Sequence, residues 1–124
     1  MWRTWRRDAE TVLKDKKART SLKRYFTVME NDRPANFLLA KKLTADFNKN
    51  ASLSKLWELH EQLTADFYLL QKEIDNRHKR LEDLVTPQKS FLDLKIKIAH
   101  CILENCHFCT RKCGSDRKAG ELGY

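Results

Sequence analysis

Glycine and proline are scarce in this chain. Its 124 residues include three Gly and two Pro, and Gly114, Gly120 and Gly123 all lie in the last eleven residues. A multi-stranded sheet needs turn residues at short intervals, and the body of the chain lacks them. Cysteine is absent from the first hundred residues. No run of 18 apolar residues occurs, so no membrane-spanning helix and no membrane partner are predicted. The opening MWRTWRRDAE is basic but lacks the apolar stretch of a secretory signal. The expected location is cytoplasmic. Thiols stay reduced there, and clustered cysteines read as metal ligands rather than disulfides. No Ser or Cys triad and no paired-carboxylate site stands out, so no catalytic residue is expected within these 124 residues.

Charged residues make up 34% of the chain and hydrophobic residues 41%, proportions that suit helices with solvated faces around a core. The net charge of +8 is unevenly placed. Residues 1–34 carry ten Lys/Arg against five Asp/Glu, residues 35–85 eight of each, and residues 86–124 seven against four. Basic ends attract anionic partners. No nucleic-acid motif accompanies them, so they read as solvated surface and nucleic acid is disfavoured as a partner.

Apolar spacing predicts helices in series. The first covers about residues 4–17. The second covers about 21–30, with Leu22, Tyr25, Phe26 and Met29 on one face. Pro34 suits the first turn of a third, running to about Phe47, with Phe37, Ala40, Leu43 and Phe47 inward. The fourth is the longest, from about Leu53 to Val85. Its apolar seam of Leu53, Leu56, His60, Leu63, Phe67, Leu70, Ile74, Arg77, Leu81 and Leu84 alternates steps of three and four, a heptad pattern. His60 reads as a satisfied core histidine. Thr86 caps and Pro87 opens a fifth helix. Phe91, Leu94, Ile98 and Cys101 make one stripe on it, and Leu92, Ile96, Ala99 and Leu103 a second, implying burial on two sides. The pentapeptide Leu-Thr-Ala-Asp-Phe occurs at 43–47 and again at 63–67, read as coincident helix patterning or a faded duplication.

The expected fold is therefore all-α. It is a bundle of about five helices with one long heptad-patterned helix, followed by a short irregular Cys-rich segment. The helical domain covers 1–100 and the Cys-rich metal-site segment 101–124.

That segment holds Cys101, Cys106, Cys109 and Cys113 within thirteen residues. Cys106-His-Phe-Cys109 puts two thiols on one tight turn, and Cys113 is close enough to join them. Zinc and an iron–sulfur cluster both suit such ligands, and spacing does not choose between them. The metal ligands expected are Cys106, Cys109 and Cys113. His100 and His107 are candidates for a fourth, though each reads more readily as a surface or helix-end residue. Cys101 lies on the apolar stripe and reads as core. Arg111, Lys112, Arg117 and Lys118 are cations that favour thiolate over thiol.

Residues 103–124, LENCHFCTRKCGSDRKAGELGY, resemble the cysteine-rich segment of a radical SAM protein family related to the pyruvate-formate-lyase-activating enzymes. The family pattern is approximately Asn-Cys-x-x-Cys-x-Arg-x-Cys-Gly-x-x-Arg-x-x-Gly-Glu-x-Gly-aromatic-Cys. Cys106, Cys109, Arg111, Cys113, Gly114, Arg117, Gly120, Glu121, Gly123 and Tyr124 match it, while Thr110 and Ser115 depart from the residues usual there. The resemblance implies the N-terminal helical and Cys-rich region of a radical SAM iron–sulfur enzyme. Its Cys-x-x-x-Cys-x-x-Cys motif, which binds the 4Fe-4S cluster that cleaves S-adenosylmethionine, would lie outside these residues in a catalytic barrel. The 124 residues alone would then be non-catalytic. Their partner would be that barrel, with a protein substrate or helical partner also in view. The alternative is a stand-alone helical interaction module with a zinc knuckle, with nucleic acid as its conceivable ligand.

Overall fold

The structure, a computed structural model, describes residues 7–123. Among these residues the fold is all-α, with six α-helices, one 3-10 turn and no strand. The chain divides into two compact units, one through Ala35 and one from Asn36 onward. The Cys-rich residues fall in the second, together with the longest helices.

The first unit contains α1 (Arg7–Lys14), α2 (Lys16–Ser21) and α3 (Lys23–Met29). The predicted first helix is thus cut at Asp15, and its start at residues 4–6 lies outside the described residues. The physical cause is a cap. The Asp15 carboxylate accepts from Lys17 N at 2.8 Å and Ala18 N at 3.0 Å, which favours a new helix start over continuation. The second prediction ends correctly. Asn31 adopts a left-handed φ of 59°, Asn31 N donates to Val28 O, and Asp32 N donates to Thr27 O, closing a Schellman motif. Its expected apolar face does not form. Phe26 is buried, under an edge contact with Tyr25 and the Arg19 guanidinium 4.8 Å from its ring centre, whereas Leu22 and Tyr25 are exposed.

The second unit begins with α4 (Asn36–Ala40). The predicted helix to Phe47 is therefore corrected to five residues, starting two after Pro34. Residues 43–47 instead run extended beside the start of the last helix. Phe91 N donates to Leu43 O at 2.8 Å, Ala45 N to Lys89 O at 3.1 Å, and Thr44 and Ser90 form an isolated antiparallel bridge. Leu39, Ala40 and Ala45 are buried, but Phe37 faces solvent, contrary to expectation.

Helix α5 (Leu53–Asp75) starts on Ser52, whose hydroxyl accepts from Lys55 N. The seam from Leu53 to Ile74 is buried or half-buried throughout. The helix does not continue to Val85. Arg77 takes a φ of 61°, Arg77 N donates to Ile74 O, and His78 N donates to Glu73 O, a second Schellman ending. Arg77 is consequently exposed rather than part of a seam. Leu81 and Leu84 pack on the core from a 3-10 turn, Leu81–Asp83, so their apolar spacing reports burial without helix.

Helix α6 (Phe91–Glu104) begins four residues after Pro87. Thr86 is not its cap, since its hydroxyl accepts from Lys42 Nζ at 2.8 Å. Ser90 is the cap, through a capping box. Its Oγ accepts from Asp93 N, and Asp93 Oδ2 accepts from Ser90 N at 2.8 Å. Phe91, Leu94, Ile98 and Ile102 form one core with Leu39, Leu56, Phe67 and Ile74. Only this stripe is fully buried. Ile96 of the expected second stripe is 47% exposed, so α6 has one core face with half-buried shoulders at Leu92, Ala99 and Leu103. No described helix is long and apolar enough to cross a membrane.

Candidate functional site

Helix α6 delivers the chain into the cysteine segment. Cys101 is half-buried and packs against the core, as expected from its place on the apolar stripe. Asn105 ends the helix, and Cys106 is 93% shielded from solvent, its relative exposure being 7%. Backbone pairing then folds the segment back on itself. Cys106 N donates to Ser115 O at 3.1 Å, and Gly114 N donates to Cys106 O at 2.9 Å. The loop between them carries Cys109 at an exposed position. Lys112 at φ 45° and Gly114 at φ 70° turn the chain, and a Cβ at residue 114 would lie 3.1 Å from Asn105 Oδ1.

A second turn locks the far side. The Asp116 carboxylate accepts from Lys118 N and Ala119 N, and Asp116 N donates to Glu121 Oε2 at 2.8 Å. Gly120 supplies the left-handed φ of 83° that lets Glu121 N reach Asp116 O. Arg117 N donates to Leu103 O at 2.8 Å, tying this turn to the end of α6, and Lys118 pairs with Glu104 at 2.7 Å.

Arg117 sits at the centre of the segment. Its Nη2 lies 3.9 Å from Cys113 Sγ. Contact with Cys106, then the charges of Cys113 and Cys106, pushes its pKa further up. Cys113 moves the other way, down to about 7. The Ser115 backbone N–H is the main cause, with the Ser115 hydroxyl, the Cys106 thiol and Arg117 adding to it. The backbone donor is the steadier of the two from Ser115, because the single hydroxyl proton also serves Leu122 O at 3.2 Å. Gly123 closes the cluster, since a Cβ there would press on Arg117 Nη2 and lie 2.7 Å from Cys113 Sγ.

Of the three expected ligands, the fold brings Cys106 and Cys113 together around Arg117 and leaves Cys109 outside. Among the described residues, no three His, Cys, Asp or Glu side chains converge closely enough to hold a metal ion. The donors for a thiolate centre are present, though they are not assembled as one in this arrangement. His107 is exposed, and its Nδ1 donates to Asn105 O at 2.8 Å, which leaves Nε2 as its acceptor. His100 is exposed on α6. Lys118 is engaged by Glu104, and Arg111 and Lys112 face solvent, so Arg117 is the cation of the four that meets a thiol. Sequence spacing did not separate it from the other three, and the family pattern narrowed the four only to Arg111 and Arg117. Ser115 gave none.

No family model matches the chain, and no solved structure matches it. The chain is 34% identical over 103 residues, 83% of its length, to an uncharacterized protein of Methanocaldococcus jannaschii. It spans 28% of that relative's length.

Proposed function

We propose that these residues form the helical and Cys-rich region of a cytoplasmic radical SAM iron–sulfur enzyme resembling the pyruvate-formate-lyase-activating proteins. One observation carries this reading. Seven of the ten positions that match the family pattern help to build the local fold. Cys106 and Gly114 pair through the backbone, Gly120 and Glu121 shape the second turn, and Arg117, Cys113 and Gly123 pack as one cluster. A chance match of cysteines alone would not be expected to place the pattern's Gly, Arg and Glu residues in structural roles. The much greater length of the Methanocaldococcus jannaschii relative is compatible with a catalytic barrel elsewhere in the protein, which would be the partner of this region. The bundle of about five helices would serve as its docking body, toward the barrel, a protein substrate or a helical partner.

In this reading Cys106, Cys109 and Cys113 are ligands of an additional iron–sulfur centre, or of zinc, beside the SAM-cleaving cluster. Ligation requires the exposed Cys109 loop to fold inward and Arg117 to withdraw from the two thiols. The test uses a protein extended past Tyr124 through its barrel, purified anaerobically. Iron bound in excess of one 4Fe-4S cluster, lost on Cys106→Ser, Cys109→Ser or Cys113→Ser and kept on Cys101→Ser, is the expected result, with reductive cleavage of S-adenosylmethionine. Stoichiometric zinc with no cleavage supports the zinc-knuckle interaction module instead. No metal in any form leaves the segment a purely structural knot.

A further inference from the structure

Away from the thiols, a groove of about 260 Å³ opens between α5, α6 and the cysteine loop. Ile98 and Ile102 form its floor, both nearly inaccessible, and Trp57 and Phe108 stand at its rim, 42% and 57% exposed. One end is polar. Lys95 Nζ lies 2.8 Å from His60 Nε2. Both groups are held in place by rings. His60 is wedged between Trp57 and Phe91, with centroids at 5.1 and 5.0 Å, and Lys95 Nζ sits 4.3 Å from the centre of the Phe91 ring.

We propose that this groove binds a small aromatic carboxylate, with Lys95, held in place by His60, receiving the carboxylate and Trp57, Ile98 and Phe108 enclosing the ring. The argument is charge complementarity at the end of an apolar slot. Lys95 forms no ion pair with a carboxylate among the described residues. An ammonium has three N–H donors. One is directed to His60 Nε2, and the others are available at the groove. A ligand carboxylate would accept from them as a charge-assisted bond, the stronger class of hydrogen bond. Burial lowers the pKa of both bases, and the charge of Lys95 lowers that of His60 further, so an anion placed against the Lys95 ammonium would relieve a cost already built into the site. Sites for small molecules are typically apolar concavities with a few fixed polar groups, and this groove has that composition. The aromatic rim selects a flat ring over a branched aliphatic chain of equal size.

The groove's one wall from the cysteine segment is Phe108, between Cys106 and Cys109. The proposal does not depend on metal binding, because none of the residues it uses is an expected metal ligand.

The probe is phenylacetate, titrated into the 15N-labelled 124-residue chain, with phenylacetamide as the uncharged control. The expected result is saturable shifts of the Lys95, Ile98 and Phe108 amides by phenylacetate, with phenylacetamide weaker by about tenfold, the effect of losing one charge-assisted bond. Lys95→Met should bring phenylacetate down to the amide's affinity. No saturation at tens of millimolar, equal affinity for acid and amide, or shifts mapping elsewhere would each overturn the proposal. The acid–amide comparison is made on the unmodified chain, so it decides the matter even if Lys95→Met fails to fold.

Discussion

The core around Phe91 and the cysteine segment adjoin in sequence, yet they are held by different physics. In the core, Phe91, Leu39, Leu56 and Leu94 are almost wholly removed from water. Its stability comes from apolar area, and a buried aromatic or aliphatic side chain contributes about 1.5–3 kcal/mol. Past the end of α6, Cys106 is the one buried residue among those described, while Cys109, Phe108 and Leu122 are exposed. That segment is held by backbone hydrogen bonds, two left-handed glycines and the Arg117–thiol cluster. The core tolerates a change of shape if volume is kept, whereas the segment depends on particular residue types at particular positions.

The largest expected effect breaks the core. Phe91→Ala removes the ring that meets both Phe67 and His60, and should cost about 3–5 kcal/mol in urea unfolding. A cost under about 1 kcal/mol would mean that the α5–α6 seam is not the source of stability. The next breaks the segment alone. Gly123→Ala forces a Cβ against Arg117 and Cys113 Sγ, an overpacking cost of about 1–3 kcal/mol. Amide exchange should quicken at Cys106, Gly114 and Arg117 while Leu94 and Ile98 stay protected. Equal loss at both places would show that the two regions unfold as one.

Ser90→Ala removes half of the capping box and should cost about 1 kcal/mol near neutral pH. Its effect has a pH signature. The Ser90 side-chain and backbone hydrogen bonds hold the Asp93 carboxyl below its ordinary 3.8. That stabilisation is present above the unfolded value and disappears as pH falls through the lower folded value. The gap between Ser90→Ala and the parent chain should therefore narrow in strong acid, and a gap constant with pH would show the hydroxyl acting by packing alone. The smallest effect concerns His60. Burial first, and Lys95 second, lower its pKa from 6.5, with Glu61 opposing. The unfolded chain then binds the proton more readily, so stability should fall as pH drops below about 6.5. Thermal unfolding of His60→Phe should lose part of that slope between pH 8 and 5, and an unchanged slope would trace the acid sensitivity to other groups.

Much of the core was legible from the chain. Leu56, Phe67, Ile74, Phe91, Leu94 and Ile98 were expected to be inside from their spacing, and they are. Helix ends were less legible. The stops at Asp15 and Arg77 depend on an Asp side chain choosing the backbone and on a non-glycine residue entering the left-handed region. The Asp15 cap gains about 1 kcal/mol and the left-handed Arg77 costs about 1–2 kcal/mol, amounts small enough to be settled by what the next segment gains through packing. At the candidate site, the cysteine positions were plain, but the separation of Cys109 from Cys106 and Cys113 was not, because spacing limits reach and does not fix direction. The His60–Lys95 pair was hidden because the two residues are 35 positions apart and meet across two helices.

The repeated Leu-Thr-Ala-Asp-Phe shows where the division falls. At 63–67 it is helix, with Ala65 exposed, and at 43–47 it is extended, with Ala45 buried. Five identical residues cannot encode both outcomes. Helix preferences differ by tenths of a kcal/mol per residue, and the first copy gains more from pairing Leu43 and Ala45 with the backbone at Lys89 and Phe91. The sequence by itself determined the all-helical class and most of the apolar residues of α5 and α6 that become core, since these rest on periodicity. Tertiary structure alone decided where each helix stops, which copy of the pentapeptide uncoils and which thiols meet, because those outcomes depend on contacts between distant segments whose burial energy exceeds any local preference.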